Sequence, residues 1–459
     1  MRKNTRDDKG LGRRRPLGKL AILGGEPVRK KPFPGYNIIG EEEQNAVSAV
    51  LDSGILSRYI GGQHPDFMGG PVVQSFEAAW AEAFSSKHAL AVNSATSGLY
   101  AAVGAAGVGP GDEIIVSPYT MMASATAAIV YNAVPVFADI DPNTFCLSVE
   151  SIKEKITPRT RAIIIVHIFG QPADMDPIME LAKFNNILVI EDAAQAPFAT
   201  YKGQPVGTLG DIGVFSLNYH KHIHTGEGGV VTTNDPELAE RVSLIRNHAE
   251  AVVGKRGTSN IVNMVGFNFR MGEIEAAIGL CQLKKGPSLV EQRCKNISFL
   301  ERKLRDIPFL AFQECAEDVR HVYYVHPIKF NGQVSGLKRE TFVAAIKAEL
   351  PETELREGEG ALIGAGYVRP IYLEPMYQQK IAFGENGYPF THPSYDGTVN
   401  YEKGICPETE KAHFETLITH EMMRPPMSED DLNDVAAAFH KINENLPQLR
   451  EFETNSIGS

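Results

Sequence analysis

The chain has 459 residues, 43% of them hydrophobic, and a formal net charge of -11. That length fits two or three domains, and that composition supports a large core and excludes a largely disordered chain. The acidic balance argues against a general nucleic-acid binder, and no apolar run approaches the ~20 residues that span a bilayer. The five cysteines (Cys146, Cys281, Cys294, Cys315 and Cys406) are scattered and contain no C-x-x-C pair. They fit reduced thiols in a cytoplasmic protein, with neither a disulfide framework nor a zinc site.

The chain opens on "MRKNTRDDKGLGRRRPLGK". This basic stretch lacks the apolar core of a signal peptide and reads as a disordered tail. Residues 1–35 read as tail and arm, 36–285 as a large α/β domain and 286–459 as a smaller C-terminal α+β domain. Within the large domain seven short apolar runs read as strands: "ALAVN" (89–93), "EIIVS" (113–117), "VPVFA" (134–138), "RAIIIVHIF" (161–169), "ILVIE" (187–191), "IGVFS" (212–216) and "GVVTT" (229–233). Most are continuously apolar rather than alternating, as expected of strands covered on both faces. Helical patterns such as "ATSGLYAAVGAA" and "MDPIMELAKFN" lie between them. Strand–helix alternation predicts a largely parallel sheet. After the amphipathic "RMGEIEAAIGLCQLKK" the helices lengthen, as in "ETFVAAIKAEL" and "EDDLNDVAAAFHKI".

Parallel α/β sheets bind ligands beyond the C-terminal ends of their strands, so the residues just past each strand matter most. After "ALAVN" comes Ser94-Ala95-Thr96-Ser97-Gly98, small residues opening a helix. They suit a phosphate site at the helix N-terminus, or an ordinary cap. After "ILVIE" comes Asp192. A carboxylate ending a buried strand needs a cation, such as a protonated pyridine nitrogen, or else caps the next helix. After "IGVFS" comes "LNYHKHIHTGEGG", where Lys221 lies in an irregular segment before a glycine turn. A lysine beside a buried site can condense with an aldehyde. Phosphate cradle, aspartate and lysine at three strand ends are together the requirements of pyridoxal phosphate.

The same stretches carry a resemblance. "AVNSATSGLYAA", "GDEIIVSPYT", "VHIFGQPADMDPI", "VIEDAAQA", "GDIGVFSLNYHKHIHTGEGGVVTTND", "GFNFRMGEIEAAIGLCQL" and "CPETEKAHFETLI" resemble the DegT/DnrJ/EryC1/StrS family of sugar aminotransferases. The likeness runs over roughly residues 20 to 450. It implies the pyridoxal-phosphate fold type I (aspartate-aminotransferase-like), with a mostly parallel seven-stranded sheet. Lys221 stands where the family's Schiff-base lysine stands, and would then serve as general base and acid. Asp192 would pair with the pyridine nitrogen, and Gln195 would lie near the phenolic oxygen. The backbone of Ala95 and Thr96, with the Ser216 hydroxyl, would hold the phosphate. Asn268 resembles an asparagine that reaches the phosphate from the neighbouring subunit, which implies a homodimer with shared sites; Arg270 is its companion.

Two positions depart from the family pattern. Met121 replaces an aromatic residue stacked on the cofactor, where a sulfur–ring contact can substitute. Pro197 stands where histidine is common.

His220, His222 and His224 would share one face if they lay on a strand, but no acid or cysteine completes a zinc pattern. His220 and His222 read instead as candidate substrate contacts. Some relatives are sugar dehydratases with histidine in place of the lysine; Lys221 favours transamination. His321, Tyr323, Tyr324, Arg369, Tyr372 and Arg270 are further candidates, the arginines for the α-carboxylate of the amino donor. The long aromatic stretch 384–404 is expected to shape acceptor choice.

The resemblance implies a cytoplasmic homodimer with no membrane or nucleic-acid partner. It would move an amino group from glutamate or glutamine, through pyridoxamine phosphate, to a nucleotide-linked keto-deoxysugar, a keto-octulosonate or a cyclitol. A dehydratase of the same family and a non-catalytic regulator on the same fold are the alternatives.

Overall fold

The computed structural model describes residues 18–256, 258–313 and 315–457. Most of the basic N-terminal stretch, residues 1–17, lies outside them. The main sheet is built of β1 (His88–Val92), β2 (Glu113–Val116), β3 (Val134–Phe137), β4 (Thr160–Val166), β5 (Leu188–Asp192), β6 (Ile212–Ser216) and β7 (Gly229–Thr233). Across the sheet the order is β1-β7-β6-β5-β4-β2-β3. Strand β7 runs against both its neighbours, and β6, β5, β4, β2 and β3 are parallel.

Each apolar run forms its strand because helices bury both faces of the sheet. On one face Trp80 of helix Pro71–Ala83 stacks on Phe84 at 4.6 Å and meets Phe215 of β6 edge-on at 5.3 Å. Strand β4 ends earlier than its apolar run, because Phe169 turns into the left-handed region (φ 60°) just beyond it.

A second core lies under a sheet of β8 (Leu310–Phe312), β9 (His326–Phe330), β10 (Ile363–Ala365) and β11 (Leu417–His420), antiparallel in the order β8-β9-β11-β10. Helices Arg339–Glu349 and Glu429–Glu444 bring Phe342 and Phe439 onto it. The helix Glu273–Leu304 runs from the first core (Leu283, Val290) into the second (Ile297, Leu300, Leu304). The expected boundary at residue 286 therefore falls inside a continuous helix, beside Pro287. The arm also packs with the second core. Leu20 and Phe33 are buried there, and the Glu349 carboxylate accepts the Ala21 and Val28 amides and pairs with Lys441 at 2.8 Å.

The stretch 384–404 packs along the edge strand β3, with the Tyr401 ring 5.5 Å from Phe137. The Tyr395 hydroxyl donates to Glu113 (3.0 Å), the Tyr401 hydroxyl to the Pro135 carbonyl (2.6 Å) and Arg159 to Asp396 (3.2 Å). Glu113 and Pro135 stand at the N-terminal ends of β2 and β3. Asp192 and Ser216 end their strands at the opposite rim. The tyrosines cover edge strand β3, whose outward backbone groups would otherwise be unpaired. That covering role accounts for the buried tyrosines of the stretch.

In the small sheet, His326 and His420 approach to 5.5 Å, and the buried rings of His420 and His321 have nitrogens without partners. Burial, with the neighbouring His326, holds the His321 and His420 imidazoles well below their ordinary value near 6.5. Both are therefore neutral when folded, whereas the unfolded chain protonates them below about pH 6.5. Stability is complete above that pH and falls as pH drops from it toward the depressed native values. The slope is about 1.4 kcal/mol per pH unit for each group. The thermal midpoint should fall between about pH 6.5 and 5.5, and His420→Leu should flatten that fall. Equal slopes in the two proteins would refute this account.

Candidate active site

Three strand ends meet at one rim. Val92 of β1 and Ser216 of β6 both lie opposite Gly229, on either side of β7, and Asp192 of β5 is paired with Val214 of β6. Gly229 admits the helix that follows β1 very closely. A Cβ there would stand 2.7 Å from the Ala95 nitrogen and 2.9 Å from the Phe215 carbonyl oxygen. Those atoms are backbone and cannot give way, so only glycine fits.

The helix Ala95–Ala105 begins at this point. The Ser94 hydroxyl accepts the Ser97 amide (3.1 Å) and the Ser94 carbonyl accepts that of Gly98 (3.0 Å). Among the described residues the amides of Ala95 and Thr96 have no acceptor. With the positive end of the helix dipole and the Ser216 hydroxyl nearby, they fit an anion such as a phosphate.

Asp192 is buried. Its carboxylate accepts the Ser124 hydroxyl (2.7 Å) and the Ala194 amide (3.1 Å). Burial raises its pKa from the ordinary carboxylate value, and these two bonds and the through-space pull of Lys221 offset only part of that. A carboxyl so placed fits a cationic N–H arriving with a ligand. Ser124 comes from helix Ala123–Val130, and nothing in its alanine-rich local pattern marks it.

Lys221 sits in the irregular loop between β6 and β7. The neck of the loop is closed by the Leu217 amide on the Gly228 carbonyl (2.9 Å) and the Thr225 amide on the Leu217 carbonyl (3.0 Å), and Gly226 reverses the chain at φ 82°. The lysine side chain is nearly buried, with Nζ 4.3 Å from the centroid of Tyr324. Gln195 joins two distant parts of the chain. It accepts the Phe169 amide (2.7 Å) and donates to the Tyr367 hydroxyl (3.1 Å). The Tyr367 amide in turn donates to the Tyr119 hydroxyl (2.9 Å). Tyr367 and Ser124 are site residues that spacing alone did not reveal.

The other candidates separate. His220 is half-buried against Tyr219 (ring centroids 3.7 Å), and burial with the charges of Arg356 and Arg424 pushes its imidazole down to about 4. His222 is fully buried, its Nε2 on the Val322 carbonyl at 2.9 Å. It packs inside the fold, because residues 217–228 form turns and not the strand that would align the histidines. His224 lies apart, its Nδ1 accepting the Gly226 amide at 3.4 Å. Tyr372 is likewise a core residue, its hydroxyl on Glu410 at 2.5 Å and its ring against Phe137, so it is not a substrate contact. His321 is buried against Tyr323, and Arg369 is exposed beside Glu374. Met121 stands in the turn before helix Ala123–Val130, 54% exposed. Asn268 lies exposed by the end of β1, where its side chain accepts Arg270 Nε at 2.8 Å.

Residues 37–391 match the DegT/DnrJ/EryC1/StrS aminotransferase family. The chain is 33% identical to the spore coat polysaccharide biosynthesis protein SpsC of Bacillus subtilis, over 90% of its own length and 98% of that protein's. It is 31% identical to the L-glutamine:2-deoxy-scyllo-inosose aminotransferase of Streptomyces lividus, over 92% and 97% of the two chains. The X-ray structure of an aminotransferase from Psychrobacter cryohalolentis superimposes with a TM-score of 0.76 at 29% identity, covering 90% of this chain and all of that one. The fold is that of the pyridoxal-phosphate fold type I aminotransferases, and the chain belongs to the DegT/DnrJ/EryC1/StrS aminotransferase family, whose members transfer amino groups to sugars and cyclitols.

Proposed function

We propose that this chain binds pyridoxal phosphate at Lys221 and moves an amino group from glutamate or glutamine to a keto sugar or keto cyclitol. The observation that carries the reading is the meeting, at one rim, of a buried lysine, a buried aspartate and two helix-terminal amides, the aspartate without an ion-pair partner and the amides without an acceptor among the described residues. When bound, the cofactor supplies an electron sink for a carbon that loses its proton. Lys221 Nζ would take that proton from one carbon and deliver it to another. Asp192 would hold the pyridine nitrogen protonated, with Ser124 fixing the carboxylate. Ala95, Thr96 and Ser216 would anchor the phosphate, and Gln195 would hold the ring's oxygen side while joining two distant parts of the chain. Lysine at position 221 favours transamination over the dehydratase alternative, and the intact lysine, aspartate and serine disfavour a non-catalytic regulator.

A homodimer fits the surface. Met121, Met122, Ile261, Val262 and Val265 are all exposed large apolar side chains, of the kind that partners cover. Asn268 lies exposed as well, its Oδ1 held by Arg270, and would reach a second subunit's phosphate from there. Among the described residues no helix is long and apolar enough to cross a membrane.

The test is optical. Protein loaded with the cofactor should be yellow and should bleach with glutamate or glutamine. Colour should then return with one member of a panel holding a nucleotide-linked keto-deoxysugar, a keto-octulosonate and a cyclitol ketone. Protein that stays indifferent to cofactor and donors would sink the reading.

A further inference from the structure

Tyr367 is held in place more firmly than a loop residue needs to be. It comes two residues after β10, just past Gly366, whose φ of 80° turns the chain. The turn is tight: the Gly366 amide donates to the Leu417 carbonyl (2.7 Å), and a Cβ on Gly366 would stand 2.7 Å from the His413 carbonyl oxygen. The Tyr367 ring then meets Phe169 edge-on at 5.1 Å and Tyr119 edge-on at 6.1 Å, and its amide donates to the Tyr119 hydroxyl. These contacts bring its hydroxyl to Gln195 Nε2 at 3.1 Å. Gln195 is only 3% exposed and is fixed from its other side by the Phe169 amide. An N–H needs an oxygen, so Oε1 faces Phe169 and the NH2 group faces Tyr367. The same Phe169–Gly170 pair holds the segment that carries Tyr324, through Val322 (3.0 Å) and Val325 (3.4 Å), and Lys221 Nζ lies against the Tyr324 ring.

A count of hydrogens shows what this arrangement leaves over. Gln195 Nε2 carries two, and one goes to Tyr367. The Tyr367 oxygen accepts that one, so its own proton must go elsewhere. Among the described residues no acceptor takes either the second amide hydrogen or the hydroxyl proton. Burial, with the neighbouring Tyr324 and Glu421, pushes the Tyr367 hydroxyl well above its ordinary range, so it keeps that proton as a donor. Two unspent donors on atoms 3.1 Å apart can converge on one oxygen, and they hold it best when it carries negative charge. We propose that Tyr367 and Gln195 together form a two-donor seat for the phenolic oxygen of pyridoxal phosphate, with Tyr367 as the second donor. The proposal rests on the aminotransferase reading and adds to it a residue that arrives from the second sheet.

The test is calorimetric, on the full chain freed of cofactor. The probes are pyridoxamine phosphate and an analogue with hydrogen in place of the phenolic oxygen. Both carry the phosphate and the ring nitrogen, so the cradle and Asp192 serve both alike. Wild type should bind the complete probe about 100-fold more tightly than the analogue, with about tenfold from each donor. Tyr367→Phe should cut that ratio to about tenfold and leave the affinity for the analogue unchanged. The variant keeps the ring contacts and the backbone bond to Tyr119, so the turn that places it should survive. If it fails to fold, Gln195→Leu gives a second reading. That variant keeps the tyrosine donor, so a ratio of about tenfold should remain, and a ratio near one would overturn the seat. The seat is likewise overturned if the wild-type ratio is near one, if Tyr367→Phe keeps the wild-type ratio, or if it weakens both probes equally. Each of those results leaves the aminotransferase reading standing. A wild type that binds neither probe would instead overturn the reading beneath it.

Discussion

Lys221→Ala is expected to abolish the yellow colour of the cofactor-loaded protein and to lower the rate of the donor half-reaction by about 10⁴-fold, or ~5 kcal/mol of barrier. Two losses combine. The alanine variant has no amine to hold the cofactor covalently, and no base within reach of the carbon that must lose a proton. The neighbouring histidines cannot take over. His222 Nε2 is committed to the Val322 carbonyl, and His220 is a weak base, held at about 4 by its surroundings. A small diffusible amine such as methylamine should restore part of the rate. The loop stays closed at its neck by backbone bonds, so removing the side chain leaves room where Nζ stood. The measurement is a single-turnover absorbance trace with and without added amine. Turnover at more than a tenth of wild type without amine would show that another group moves the proton.

Asp192→Asn carries the second largest effect, a fall in kcat of about 10³-fold, or ~4 kcal/mol, with less change in donor KM. Asparagine keeps the size, its one oxygen can still accept the Ala194 amide, and its NH2 can donate to a rotated Ser124 hydroxyl, so the local fold should survive. It has no charge, so it cannot hold a proton on a pyridine nitrogen in a buried place. Deletion of the charge and deletion of the shape are thus separable. Asp192→Ala should lower kcat similarly and also weaken cofactor binding, because it leaves the Ser124 hydroxyl without its buried acceptor. A variant Asp192→Asn within tenfold of wild-type kcat would mean that the carboxylate is structural.

Much of the site was legible because its chemistry sits at the ends of strands. Lys221, Asp192, Ser216 and the Ala95–Thr96 amides each follow a run of apolar residues too short for a helix, and such runs announce themselves locally. Their convergence at one rim then follows from parallel topology, since parallel strands end on the same side. The seven strands were legible for the same reason.

What local pattern cannot carry is which element covers which. His222 reads as a neighbour of the reactive lysine, yet packing turns it inward onto Val322, far along the chain. Tyr372 lies in a stretch that looks like a substrate loop, yet its ring is core. The aromatic residues 384–404 look like an open loop, yet Tyr395 and Tyr401 are buried along edge strand β3.

The amino-acid sequence by itself marked the strands and the candidates Lys221, Asp192, Ser216, Ala95 and Thr96, because backbone period and strand-end position are local properties. Only the tertiary structure decided that Ser124 bonds Asp192, that Tyr367 bonds Gln195 from far along the chain, and that Arg424 and Lys221 share the Tyr324 ring. Those residues come from separate helices and loops, and nothing but long-range packing of the two cores brings their side chains together.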